Sequence, residues 1–236
     1  SNLYDIYRID HILGFFRIWA IPLNTPSKEG RFIPEAQALW LAHGKELLSM
    51  MAASCPMLPI GEDLGLVPDA VRTCLSELGI CGTKVPRWER NWDSGGYFIS
   101  AQDYNPISMT TVSTHDSETL GQWWSHYRDE AQAFADMKHW DCGPELTDTQ
   151  RRYILWESHH SASLFHVNLL NEYLALFPEL VWEDPQMERI NIPGKVLPEN
   201  WTYRTRLPLE EIVAHEGLKK GMNAIVHAPD PHSLFD

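Results

Sequence analysis

Short apolar segments that stop at charged residues alternate with longer segments of helical spacing, and this alternation limits the chain to few folds. Ile6–Asp10 predicts a strand, and Glu35–Ala53 a helix with Leu39, Trp40, Leu47, Leu48 and Met51 at helical spacing. Met57–Gly61 predicts a second strand. Pro68 then stands at a first helical position, Val71, Cys74, Leu75 and Leu78 form one face, and Gly79 closes the helix. Cys81–Val85 predicts a third strand and Thr110–Ser113 a fourth. The fourth leads into a helix at Glu118–Tyr127 carrying Leu120, Trp123, Trp124 and Tyr127. Thr147 and Gln150 form a capping box for a helix running to about His159. Leu164–Leu170 reads as a fifth strand, with helix as the alternative. A further helix near Leu209–Gly217 falls between the proline-bearing stretches "INIPGK" and "HAPDPH". Strands alternating with helices mean a mainly parallel sheet of the α/β class. Five strands, however, do not close an eight-stranded barrel.

In a parallel α/β fold the active site forms at the carboxyl ends of the strands, so ionisable groups at those ends carry the first functional signal. Arg8 and Asp10 end the first strand and, two residues apart, point to one face. Glu62 and Asp63 end the second, in "PIGEDLG", and His115 and Asp116 end the fourth, in "STHDSETL". Each has a structural reading too: Asp116 caps the next helix, or Arg8–Asp10 is a plain ion pair. Three carboxylates on one rim nevertheless match what glycosyl transfer requires. A retaining mechanism needs one carboxylate as nucleophile and a second, protonated, to serve the leaving oxygen. A neighbouring arginine favours an ionised nucleophile, burial favours a protonated acid, and further negative charge stabilises the oxocarbenium-like transition state.

The rest of the composition excludes more than it assigns. A net charge of −13 argues against nucleic acid or an anionic membrane surface, and no apolar run reaches membrane-spanning length. The chain contains 10 tryptophans, whose flat rings suit both core packing and sugar faces. Cys55, Cys74, Cys81 and Cys142 lack C-x-x-C spacing and read as reduced thiols of a cytoplasmic protein rather than a zinc site. Adjacent histidines point apart on a helix, so His159-His160 with His166 is read as solvated or capping rather than metal-binding. The reading therefore includes no metal and no cofactor. Trp88, Trp92 and Tyr97 lie in the loop after the third predicted strand, where a glucan would stack or the loop would simply pack. Trp123-Trp124 reads as helix packing, and Gly95-Gly96 as a turn rather than a phosphate loop.

"YRIDH", "GEDLG" and "STHDSETL", followed in order by "INIPG" and "ENWTYR", resemble the 4-α-glucanotransferases known as amylomaltases or disproportionating enzymes. The likeness runs from about Tyr7 to Arg204. It implies a TIM (β/α)8 barrel of which this chain holds the carboxyl portion, about strands 4 to 8. Residues 1–236 would then be one partial catalytic barrel domain, with the first three strands preceding "YRIDH" in a longer protein. By that resemblance Asp10 is the nucleophile, Glu62 the general acid/base and Asp116 the transition-state stabiliser. Arg8, His115, His11 and Trp88 would contact substrate, an α-1,4-glucan or maltooligosaccharide. The family's threonine after "NIPG" is Lys195 here, and Asn171-Glu172-Tyr173-Leu174 stands where the family has a "QDLL"-like segment. Two other readings use the same residues: an α-glucan hydrolase of the wider α-amylase clan, and a non-catalytic half-barrel that binds glucan or only supports structure. An open sheet lacking three strands exposes edges. The isolated chain is accordingly expected to be inactive and poorly stable without self-association.

Overall fold

Two units organise the chain, which a computed structural model describes over residues 3–234. The first runs to Lys84 and takes in Asn105–Met109, and the second comprises Val85–Tyr104 and the chain from Thr110 on.

The first unit opens with β1 (Ile6–Ile9), followed by a 3-10 turn at Ile12–Phe15 and an antiparallel hairpin of β2 (Ile18–Ala20) and β3 (Arg31–Ile33). Then come α1 (Gln37–Ala53), β4 (Leu58–Gly61), α2 (Asp69–Glu77) and β5 (Gly82–Lys84). β1 and β4 run parallel, with Ile6 opposite Leu58 and Ile9 opposite Gly61. Ile60 continues the parallel pairing to Cys81, and Gly82 N–H donates to the Ile107 carbonyl, so four neighbouring segments build the sheet of this unit. Trp40, Gly44 and Leu48 form the buried stripe of α1, four residues apart. Gly44 is required there: a Cβ would meet the Phe16 ring at 2.2 Å. Leu39, expected on the apolar face, is instead exposed, because the stripe facing Phe16 is narrower than the run of apolar residues suggests. Ile9, Ile12, Phe16, Trp40, Leu48, Val71, Leu75 and Ile80 make the core.

The second unit contributes the hairpin β6 (Arg90–Asn91) and β7 (Tyr97–Phe98), turned by Gly95 and Gly96 at positive φ. The short β8 (Ser108–Thr110) ends where this unit resumes. It continues with α3 (Leu120–His126), α4 (Arg128–Lys138), α5 (Asp148–His159), β9 (Phe165–His166), α6 (Leu170–Leu174), α7 (Leu209–Ala214) and α8 (Glu216–His227). Thr119 with Gln122 and Thr147 with Gln150 both close capping boxes, the second as the sequence predicts. Trp123 and Trp124 are buried in a core with Leu120, Phe134, Ile154, Leu155, Leu174 and Ile225.

Three expectations need correction. The fourth predicted strand lies upstream, at Ser108–Thr110 rather than Thr110–Ser113. The groups beyond Thr110 bond to side chains instead of a ladder: Val112 N–H to Asn168 and the Ser113 hydroxyl to Glu172. Leu164–Leu170 divides between a two-residue strand and the start of α6. The tail helix breaks at His215, whose ring accepts from Leu218 N–H and so caps a second helix reaching His227. The four cysteines are free, and no described helix is long and apolar enough to cross a membrane.

Candidate active site

β1 and β4 deliver their carboxyl ends side by side. Arg8 and Asp10 share one face, and the Arg8 guanidinium donates to Asp10 Oδ1 at 2.6 Å while lying 3.7 Å from Glu62 Oε2. One arginine thus spans both carboxylates. The two differ in surroundings: the Asp10 side chain is 73% exposed, whereas that of Glu62 is 19% exposed. Glu62 is fixed at three points. Its N–H donates to the Ile9 carbonyl, its carbonyl accepts from Ile12 N–H, and its Oε2 accepts from His11 N–H at 2.8 Å. The last bond needs an unusual backbone, since His11 sits at φ 44 in the left-handed region, a conformation costly for a residue with a Cβ. His11 therefore acts on Glu62 through its amide, while its ring lies over Gly14, where a Cβ would stand 3.2 Å from it.

The neighbouring carboxylate of "GEDLG" has a different task. Asp63 is buried, accepts from Thr83 N–H at 2.6 Å and stands 3.7 Å from Arg72. Gly82 leaves room for it, because a Cβ there would meet Asp63 at 2.8 Å. Asp63 locks β4 to β5, and Glu62 is left to face outward.

His115 and Asp116 lie in the second unit, five and six residues beyond the end of β8, not at a strand end as the sequence suggests. Helix capping does not explain Asp116, since Thr119 caps α3. Asp116 is instead held by a clamp. Asn191 donates through Nδ2 to Asp116 Oδ1 at 2.7 Å and through its backbone N–H to the His115 carbonyl at 3.0 Å. His115 Nε2 lies 3.5 Å from the same oxygen. Arg189 braces the clamp by donating to the carbonyls of Asp116 and Asn191 and by pairing with Glu118 at 2.8 Å. Burial alone would raise the Glu118 carboxyl. Its own backbone amide, Arg189 and Arg87 outweigh that and hold it below the usual carboxylate range. Trp201 completes the group, its ring centroid 5.3 Å from that of His115.

Trp88, also in the second unit, is partly exposed and lies against the Arg87 guanidinium, which donates to the Glu118 carbonyl. The structure thus gathers the expected residues into two groups: Arg8, Asp10, His11 and Glu62 in the first unit, His115 and Asp116 in the second. Sequence reasoning left Asn191, Arg189 and Trp201 without roles. Asn191 and Trp201 had a signal in "INIPG" and "ENWTYR", whose polar and aromatic residues had no helical or strand period to satisfy; Arg189 lies just before the first motif and had none. Among the described residues, no three His, Cys, Asp or Glu side chains are placed to hold a metal ion. Of the adjacent histidines, His160 bonds the Trp156 carbonyl at the end of α5, in keeping with a capping role, whereas His159 is half-buried rather than solvated. Its ring is tilted against that of His166, with centroids 3.8 Å apart, and bonds the Tyr173 hydroxyl at 2.6 Å. Burial, with His166 and His160 nearby, pushes its pKa down to about 4.

The glycoside hydrolase 77 family model, described as 4-alpha-glucanotransferase, matches residues 1–209. The chain belongs to this glucanotransferase family. Among curated relatives, a 4-alpha-glucanotransferase of Chlamydia pneumoniae is 51% identical over 92% of this chain and 40% of its own length. That of Chlamydia trachomatis is 41% identical over 95% of the chain and 42% of its own length. The glucanotransferase-family chain thus spans about 40% of the length of these relatives. An amylomaltase from Streptococcus agalactiae, solved in complex with acarbose, superposes with a TM-score of 0.67 at 22% identity, covering 95% of this chain and 41% of that one. A Corynebacterium glutamicum amylomaltase gives 0.58 at 20% identity, covering 89% of this chain and 34% of that one. These likenesses bear on the fold, which is α/β and matches that of amylomaltase over part of its length.

Proposed function

We propose that this chain carries the catalytic carboxylates of a retaining 4-α-glucanotransferase, which moves α-1,4-glucan segments between maltooligosaccharides. The observation that carries the reading is the single guanidinium of Arg8, 2.6 Å from Asp10 and 3.7 Å from Glu62 at the ends of adjacent parallel strands. Asp10, exposed and paired with Arg8, attacks the anomeric carbon. The Glu62 carboxyl gives its proton to the departing glycosidic oxygen, and a covalent glucosyl-enzyme forms. Glu62 as carboxylate then takes a proton from the acceptor hydroxyl, which displaces Asp10. Asp116, clamped by Asn191, stabilises the oxocarbenium-like transition state and holds sugar hydroxyls together with His115. Arg8 keeps Asp10 oriented, the His11 amide keeps Glu62 oriented, and Trp88 contacts the glucan.

The chain is read as the carboxyl part, about strands 4 to 8, of a (β/α)8 barrel in a longer cytoplasmic protein. The protein's partner is the glucan, and its chemistry needs neither metal nor cofactor. Incubation of the full-length protein with maltotriose tests the reading. Both longer and shorter oligosaccharides mean transfer, whereas maltose and glucose alone mean hydrolysis and would overturn it.

A further inference from the structure

Among the described residues other than glycine, His11, Asn24, His139 and Trp201 have positive φ, and Trp201, at φ 65, is the bulkiest of them. A large aromatic side chain in the left-handed region is costly, and such strain persists only where the surroundings impose it. Here they do. Trp201 N–H donates to the Ile190 carbonyl at 2.8 Å. The preceding Asn200 side chain accepts from Ile192 N–H at 3.1 Å and donates to the Lys195 carbonyl at 2.9 Å. The loop from Asn191 to Trp201 is therefore tied at both ends, the end at Asn191 also gripping Asp116. Packing does not repay the strain, since the indole is 65% exposed. What the conformation achieves is to set a flat apolar ring beside His115, whose own Nε2 lies 3.5 Å from the clamped Asp116 carboxylate.

An aromatic plane next to a carboxylate, an imidazole and an amide suits one ligand chemistry well. The C–H face of a pyranose lies on the ring while its equatorial hydroxyls reach the polar groups at the edge. We propose that Trp201 is the stacking platform for the glucose residue whose hydroxyls Asp116 and His115 hold. The strained loop, pinned by Asn200, couples platform and carboxylate so that they grip one sugar together. This assignment rests on the glucan reading above and adds a substrate-positioning residue to it.

The test uses Trp201→Gly and Trp201→Phe in the full-length protein. Glycine adopts positive φ without steric cost, so the Tm of Trp201→Gly should not fall. Its KM for maltotriose and its Kd for maltoheptaose should nevertheless each rise about tenfold. kcat should move less than KM, and Trp201→Phe should restore most of the loss. Unchanged KM and Kd in Trp201→Gly would overturn the platform. So would equal losses in both variants accompanied by a lowered Tm, which mark a structural role. Wild-type protein that binds maltoheptaose without transferring would sink the transferase reading alone, and the platform would then stand or fall on the binding loss in Trp201→Gly. Wild-type protein that neither transfers nor binds overturns both.

Discussion

His11 N–H donates to Glu62 Oε2 across 2.8 Å, joining the turn after β1 to the carboxylate that ends β4. The bond aims one carboxylate without using a side chain, and it survives replacement of the acid by its amide, whose oxygen still accepts. Glu62→Gln should therefore fold normally and bind maltooligosaccharides, while kcat for maltotriose disproportionation falls roughly 10²–10⁴-fold, the share of a general acid/base. Steady-state kinetics beside a thermal melt check this. Near-wild-type kcat would remove Glu62 from proton transfer.

Asn191 makes a charge-assisted bond to Asp116 and a backbone bond to His115. Asn191→Ala deletes only the first. A bond to a charged group contributes about 1.5–3 kcal/mol, so transition-state stabilisation should drop roughly 10–100-fold in kcat/KM. Asn191→Asp should be worse, because it sets two carboxylates against each other. If Asn191→Ala kept full kcat/KM, the clamp would have no part in catalysis.

The first two strands, the helices near them and the placing of "RID" and "GED" at adjacent strand ends were legible because strand ends and local charge are written in adjacent residues, whereas "THD" lies beyond its strand. The Asn191–Asp116 contact was not, since 75 positions separate the two residues and no periodicity links them. The β2–β3 hairpin escaped notice because "FFRIWAIP" lacks polar alternation, and its faces are fixed by the Trp19–Phe32 edge contact at 4.9 Å. α4 was missed because its buried stripe is Ala131, Phe134 and Ala135, and alanines carry little apolar signal. Glu62 and Asp63 looked alike in sequence. Only the close approach of Gly82 and Thr83 shows that Asp63 is a lock.

Glu172 is fully buried and accepts from the Ser113 hydroxyl at 2.6 Å and Leu120 N–H at 3.0 Å, with Arg151 at 3.5 Å. Glu172→Ala strands a buried guanidinium and should cost roughly 3–5 kcal/mol. Chemical denaturation would show it, and a loss below about 1 kcal/mol, typical of an exposed pair, would contradict the assignment.

His159 ties stability to pH. Unfolded, its imidazole protonates near 6.5, and folded only near 4. Between those values the unfolded chain binds more protons, so stability is fully present above about pH 6.5 and is lost as pH falls toward 4. The loss should approach roughly 3 kcal/mol, with His166, also lowered by burial, adding in the same direction. Urea midpoints at stepped pH values check this. His159→Gln should flatten the dependence, and an equally steep curve in that variant would place the titration elsewhere.

The central claim is that Asp10 forms the covalent bond while Glu62 handles the proton. Full-length Glu62→Gln supplied with an α-maltosyl fluoride tests it most directly, because fluoride departs without acid help while the next transfer lacks its base. Peptide mapping by mass spectrometry should then find the maltosyl adduct on the peptide containing Asp10, and no adduct in the Asp10→Asn, Glu62→Gln double variant. An adduct on any other carboxylate, or one that persists in the double variant, would contradict the account.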